Sequence, residues 1–185
     1  MSDRFRRLET RIDGLVLIEP HVIADDRGFF FETFRADEYA ALGIDVPFVQ
    51  DNHSRSTRGT IRALHFQLQP GQAKLVRAAR GAIWDVAVDL RRDSPTYGQY
   101  EGFELNDSNA RQLFVPVGFA HGFCVTSETA DVTYKVSSYY YGATERGIAF
   151  DDPGIGIDWP ASEPLVSDRD RSNPTLAEIA DELPW

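Results

Sequence analysis

The sequence has almost no cysteine, almost no lysine and no long apolar run. Its one cysteine, Cys124, excludes a disulfide within the chain, which suits a reducing compartment. No segment reaches the roughly 20 apolar residues a membrane helix needs. The opening MSDRFRRLETRIDG lacks the apolar core of a secretory signal. These absences predict a cytoplasmic protein with no membrane partner. An excess of positive charge is also missing. Against 29 Asp and Glu stand 19 Lys and Arg, a formal net charge of -10. Nucleic acid, whose binding is driven by basic surface, is therefore not an expected partner. An anionic ligand would need cations gathered locally against the overall field. Only two basic residues are lysines, Lys74 and Lys135, so each is worth following.

What is present suits one domain over residues 1–185: 42% hydrophobic and 26% charged residues, with no repeat or low-complexity tract. Glycines, prolines and Asp/Asn clusters separate short segments rich in β-branched and aromatic residues. These predict strands near 15–23, 28–34, 48–53, 60–69, 74–79, 82–90, 100–105, 112–115, 120–126 and 130–140. Over 83–90, positions 84, 86, 88 and 90 are apolar while Asp85 and Asp89 fall on the other face, the pattern of a strand with one face in a core. Helices are expected only at 36–42 and, after Pro174, at 175–182. Many short strands with turns between them predict a sandwich, jelly roll or barrel, whose inward side chains can converge on one cavity.

Four histidines are candidates for chemistry. His21 and His53 read as loop or hydrogen-bonded structural residues. His65 and Gln67 alternate onto one face of a strand, and His121 enters another strand, so His65 and His121 can face one cavity. Metal-binding cupins take two histidines from a His-x-His strand, a carboxylate soon after and a third histidine later. Here the pair is His65-x-Gln67, and the segment after it is Gly71-Gln72-Ala73-Lys74. An amide is a poor metal ligand and a lysine opposes a second cation, so the ligand set is dismantled. The same pocket can still move protons. A neutral imidazole is a base near neutral pH and works best when a carboxylate orients it. Ser167-Asp168-Arg169-Asp170-Arg171 offers two carboxylates, which spacing alone does not separate from a solvated charge cluster. Alternation through 132–140 puts Tyr134 and Tyr140 on one face, as proton donors, stacking surfaces or core. Three consecutive phenylalanines, Phe29 to Phe31, cannot all enter one core, so at least one faces an interface or a ligand beside Arg27.

Seven segments, in order, resemble the dTDP-4-dehydrorhamnose 3,5-epimerase family. They are Asp26-Arg27-Gly28-Phe29-Phe30-Phe31-Glu32, Phe48-Val49-Gln50-Asp51-Asn52-His53-Ser54, Ile61-Arg62-Ala63-Leu64-His65-Phe66-Gln67, Lys74-Leu75-Val76-Arg77, Val117-Gly118-Phe119-Ala120-His121-Gly122-Phe123, Tyr134-Lys135 with Tyr139-Tyr140, and Ile155-Gly156-Ile157-Asp158-Trp159-Pro160. The resemblance spans nearly the whole chain. It implies an all-β, cupin-like jelly roll with a few short peripheral helices, no metal or other cofactor, and a homodimer that exchanges N-terminal strands. It implies a dTDP-4-keto-6-deoxysugar as substrate. By that likeness His65 is the base, Asp170 its carboxylate partner, Tyr134 the acid on the opposite face and Lys74 the cation near the ketone oxygen. Arg27, Phe30, Glu32, Gln50, Asp51, Asn52, Arg62, His121, Tyr140, Glu145 and Arg169 correspond to substrate-binding positions.

The chain departs from the family pattern in places. Ala63 and Ala73 stand where the family has glycine, and Arg169 where it often has lysine. Strict alternation also puts Arg62 and His65 on opposite faces, so both reach one site only through a bulge, or else Arg62 serves a dimer interface. Relatives that invert one carbon, isomerases of related nucleotide sugars, metal-dependent cupins and non-catalytic sugar-binding modules are the other expectations.

Overall fold

The computed structural model describes residues 4–185. In chain order the strands are β1 (Phe5–Leu8), β2 (Val16–Pro20), β3 (Ile23–Asp25), β4 (Gly28–Phe30), β5 (Gln50–Thr57), β6 (Thr60–Gln67), β7 (Lys74–Arg80), β8 (Ala82–Asp89), β9 (Tyr100–Asn106), β10 (Gln112–Val115), β11 (Phe119–Val125), β12 (Thr129–Val136), β13 (Glu145–Gly147) and β14 (Leu165–Val166). The helices are α1 (Ala36–Ala41), α2 (Asp168–Arg171) and α3 (Leu176–Ile179), the last running into a short 3-10 turn. One sheet has the order β1-β2-β10-β7-β12-β5. The other has the order β13-β6-β11-β8-β9, with β14 alongside β6, and β3 and β4 form a separate hairpin. This is the expected all-β, cupin-like jelly roll.

Period-two alternation sorts the apolar side chains into layers. Leu17, Val76, Leu113 and Val132 of the first sheet meet Ile83, Ala87, Leu105, Phe119 and Phe123 of the second in the central core. The outer face of the second sheet, including Val86, Val88 and Leu90, is covered by C-terminal residues such as Leu176, Ile179 and Leu183. The outer face of the first sheet packs on Tyr39 of α1 and on Ile44. The expectation that β8 buries only one face is therefore corrected. Its even positions face the C-terminal cover and its odd positions the central core, and both Asp85 and Asp89 are fully buried. Each carboxylate is satisfied, Asp89 by Arg91, Ser94 and Thr96, as burial of a charge requires.

Several expected elements are shorter, for local reasons. The last expected strand stops at Val136, because Ser137 and Ser138 turn their hydroxyls to the backbone of Ala73 and Gly71. The expected strand at 28–34 ends at Phe30, since the β3–β4 hairpin pairs with no larger sheet. Five elements were not anticipated: β1, β3, β13, β14 and α2. Each is at most four residues long, too short for periodicity to register. β1 is held on β2 in a register that places Arg6 opposite Glu19, with an ion pair between them.

The irregularity in β6 positions the site. Ile61 and Ala63 face the C-terminal cover, and so do Leu64 and Phe66 one step out of phase. Opposite them, His65 aligns with His121 and Arg62 with Phe123, so three steps on β6 match two on β11. That extra residue is a β-bulge. It resolves the conflict noted above by turning Arg62 and His65 to the same, inward face.

Candidate active site

Four strands and one helix place the central candidate side chains. His65 (β6) and His121 (β11) are directly paired neighbours on the inner face of the second sheet. Lys74 (β7) and Tyr134 (β12) belong to the first sheet, with Tyr134 packed against the central core. Asp170 comes from α2, the segment that otherwise reads as a solvated cluster. Ser167 caps that helix by accepting from the Asp170 N–H at 3.1 Å. Parallel pairing of β14 with β6 brings this capped turn beside His65.

His65 Nε2 lies 2.7 Å from Asp170 Oδ1. The His65 side chain is partly open to the cavity, whereas Asp170 is buried. Burial acts to raise the Asp170 carboxyl, but the bond and charge of His65, with the Ala63 N–H and Arg169, together outweigh it and hold the group below the usual carboxylate range. An ionised carboxylate behind an imidazole fixes its orientation and supports its protonated form. Asp168, the other carboxylate of the segment, stays exposed.

Lys74 Nζ donates to the His65 carbonyl at 3.0 Å and is buried. Burial lowers its pKa from 10.5 to about 8, against the pull of Glu145 and Asp85, which raise it. The Tyr134 hydroxyl is pushed up by burial, with Arg62 lowering it and Glu145 raising it again. Tyr134 therefore keeps its proton at neutral pH and can donate it. The cavity beside His65 has a volume of about 460 Å³ and is lined by Arg62, His65, Arg169 and Asp170, among others.

The structure brings further candidates to the same place. Arg62 Nε donates to Ser56 Oγ at 3.0 Å. Gln50 and Asn52 lie on the face of β5 that Tyr134 and Val136 share, and are bonded to each other at 2.9 Å. Tyr140 Oη donates to Glu145 Oε2 at 2.8 Å, and Arg169 donates to the same oxygen at 2.6 Å. Gln67, at the dismantled metal position, is buried. Its amide donates to Ser138 Oγ and the Tyr139 carbonyl at 3.3 Å and its oxygen accepts from the Tyr141 N–H at 2.8 Å. It fixes the tyrosine segment. No group of three metal-ligating side chains occurs among the described residues.

Other candidates lie elsewhere in a single chain. Asp51 alternates to the outer face of β5, where it pairs with Lys135. A second cleft there, of about 310 Å³, contains Asp51, His53 and Arg77. His53 does approach Asp131, but it is largely exposed and Arg55 already holds both carboxylate oxygens. Arg27 pairs with Asp25 on the hairpin. Phe30 is 67% exposed beside Phe29, and Glu32 pairs with Arg4 and Arg35. These three positions do not join His65 within one chain. Asp85, which sequence reasoning placed only on a strand face, bonds His121 inside the site.

The family model described as dTDP-4-dehydrorhamnose 3,5-epimerase matches residues 9–178. The chain is 48% identical to the dTDP-4-dehydrorhamnose 3,5-epimerase of Methanothermobacter thermautotrophicus, over 94% of this chain and 96% of that protein. It is 44% identical to a dTDP-4-dehydrorhamnose 3-epimerase of Streptomyces niveus, over 92% of this chain and 83% of that one. A crystal structure of the Legionella pneumophila 3,5-epimerase in complex with dTDP-4-keto-L-rhamnose superposes with a TM-score of 0.95 at 46% identity, covering 98% of both chains.

Proposed function

The chain belongs to the dTDP-4-dehydrorhamnose 3,5-epimerase family, and from that premise we propose that it inverts C3 and C5 of dTDP-4-dehydro-6-deoxy-D-glucose to give dTDP-4-dehydro-L-rhamnose. One observation carries the reading: an imidazole oriented by a buried carboxylate, His65–Asp170, beside a buried lysine, Lys74. Both carbons lie next to the ketone, so each C–H is weakly acidic. His65 removes the proton. The charge moves to the ketone oxygen, where the Lys74 ammonium stabilises the enolate, a kind of term that is often the largest in such catalysis. Tyr134, from the opposite sheet, returns a proton to the other face of the sugar. No metal is required by this scheme.

Arg62, Arg169, Gln50, Asn52, Tyr140, Glu145 and His121 would bind the nucleotide and sugar. Arg27, Phe30 and Glu32 fit the scheme in a homodimer, where one protomer's exposed hairpin reaches the partner's cavity. The exposure of Val22, Ile23, Phe29 and Phe30 supports that exchange. The chain would act as one domain, in the cytoplasm. No helix among the described residues is long and apolar enough to cross a membrane.

The 3-epimerase relative favours a second reading, inversion at C3 alone. Incubation with dTDP-4-dehydro-6-deoxyglucose, with ring configuration read from proton coupling constants, separates the two. A product inverted at both centres is expected. Inversion at C3 alone assigns the second reading, and unchanged sugar contradicts both.

A further inference from the structure

We infer that Asp85 is a positioning residue for this reaction, holding His121 in the tautomer whose Nε2 bears the proton so that Nδ1 meets the sugar as an acceptor. The inference rests on the function proposed above. Asp85 sits in the middle of β8, aligned with Phe123 on one side and Phe103 on the other. Its neighbours along the inner face are Ile83 and Ala87. An acid at 0% exposure in so apolar a row is costly unless it is paired. Both its oxygens lie against one atom, His121 Nε2, at 3.0 and 2.9 Å. A carboxylate only accepts, so Nε2 is the donor.

His121 itself is 6% exposed, and among the described residues its Nδ1 has no hydrogen-bond partner. Burial, together with the nearby Lys74 and His65, lowers its pKa against the pull of Asp85, so the ring is neutral and Nδ1 carries a lone pair. A neutral imidazole with a fixed acceptor suits a sugar hydroxyl, which must donate to it. It also spares the cavity a second cation. Lys74 is faced by Asp85 from β8 and Glu145 from β13, and the ionisable groups around the site also include Arg62 and His65 of β6, His121 of β11, Tyr134 of β12, and Arg169 and Asp170 of α2. Asp85 thus serves the two residues it touches electrostatically: it sets the tautomer of His121 and helps keep Lys74 charged.

The first test needs no variant. Nitrogen-15 NMR of histidine-labelled protein should show His121 protonated at Nε2 and bare at Nδ1 near pH 7. A proton on Nδ1, alone or with Nε2, overturns the inference, whatever substrate the protein turns over. The second test is Asp85→Asn, whose amide can donate to the ring and invert the tautomer. It should lower kcat/KM at least about tenfold and move the alkaline limb of the pH profile to lower pH. At pH values below that limb, where Lys74 keeps its charge, the same change in a His121→Ala background should cost less than about twofold, because there Asp85 acts through that ring. Wild-type kcat/KM in Asp85→Asn, or losses that multiply in the double variant, contradict it. Failure of wild-type protein to epimerise the sugar would instead count against the proposed function and leave the tautomer measurement standing.

Discussion

Lys74 is a cation in a place where water cannot support its charge. With a pKa of about 8, its ammonium is complete at lower pH and is lost as pH rises through that value. If it stabilises the enolate, kcat/KM falls above about pH 8, and Lys74→Met removes that limb together with most of the activity. A profile flat to pH 10 would contradict the role. Stability moves the opposite way. Between about 8 and 10.5 the unfolded chain binds more protons at this position than the folded one, so this group favours folding as pH rises there. His65→Ala should lower kcat by about 10²–10⁴-fold. Tyr134→Phe should retain proton removal, seen as solvent exchange, while losing productive inversion. Equal losses of exchange and product in the tyrosine variant would argue against separate base and acid. At this scale the sequence was legible where a residue type is itself the signal. A histidine where a metal site lacks its partners, and one of only two lysines, stood out unaided. Asp170 did not, because a carboxylate in a run of charges looks solvated until a capped helix buries it. Asp85 was visible only as part of an alternation, since nothing local says that both faces of β8 are covered.

Among the elements, α2 and β6 hold the site together. α2 is one turn long, and its start depends on Ser167. Ser167→Ala should cost about 0.5–2 kcal/mol of stability, and, by loosening Asp170, should lower kcat more than it changes KM. A stability loss with kcat untouched would show that Asp170 is held by other contacts. The bulge in β6 was foreseen only as a condition: strict alternation could not put Arg62 and His65 together, and the out-of-phase Ala63 and Leu64 show how the strand does so. Its position depends on which residues of β11 lie opposite, information that a strand's own sequence does not carry. The hairpin of β3 and β4 exposes apolar surface at Ile23, Phe29 and Phe30. If it serves a partner's cavity, Phe30→Asp should raise KM and weaken self-association in sedimentation velocity. An unchanged KM with an intact dimer would separate the hairpin from substrate binding.

The whole molecule is a scaffold of two sheets, with the candidate side chains Lys74 and Tyr134 on one and His65 and His121 on the other. Leu105 lies in that central layer, fully buried on β9. Leu105→Ala should cost about 2–5 kcal/mol and lower the Tm while leaving kcat at 25 °C near wild type, because the proposed base, acid and lysine sit on other strands. Comparable losses in kcat would mean the core and the site move as one. The layered class was readable from the spacing of strands and turns. The sheet orders were not, since β1, β13 and β14 exist through pairing with distant partners rather than through their own patterns. Inversion by this route requires proton exchange at both carbons flanking the ketone, which proton NMR of the wild-type protein with dTDP-4-dehydro-6-deoxyglucose in deuterated water reads. Deuterium entering at both C3 and C5, and at neither in His65→Ala, is the predicted result; no incorporation by the wild type, or full incorporation by the variant, would contradict it.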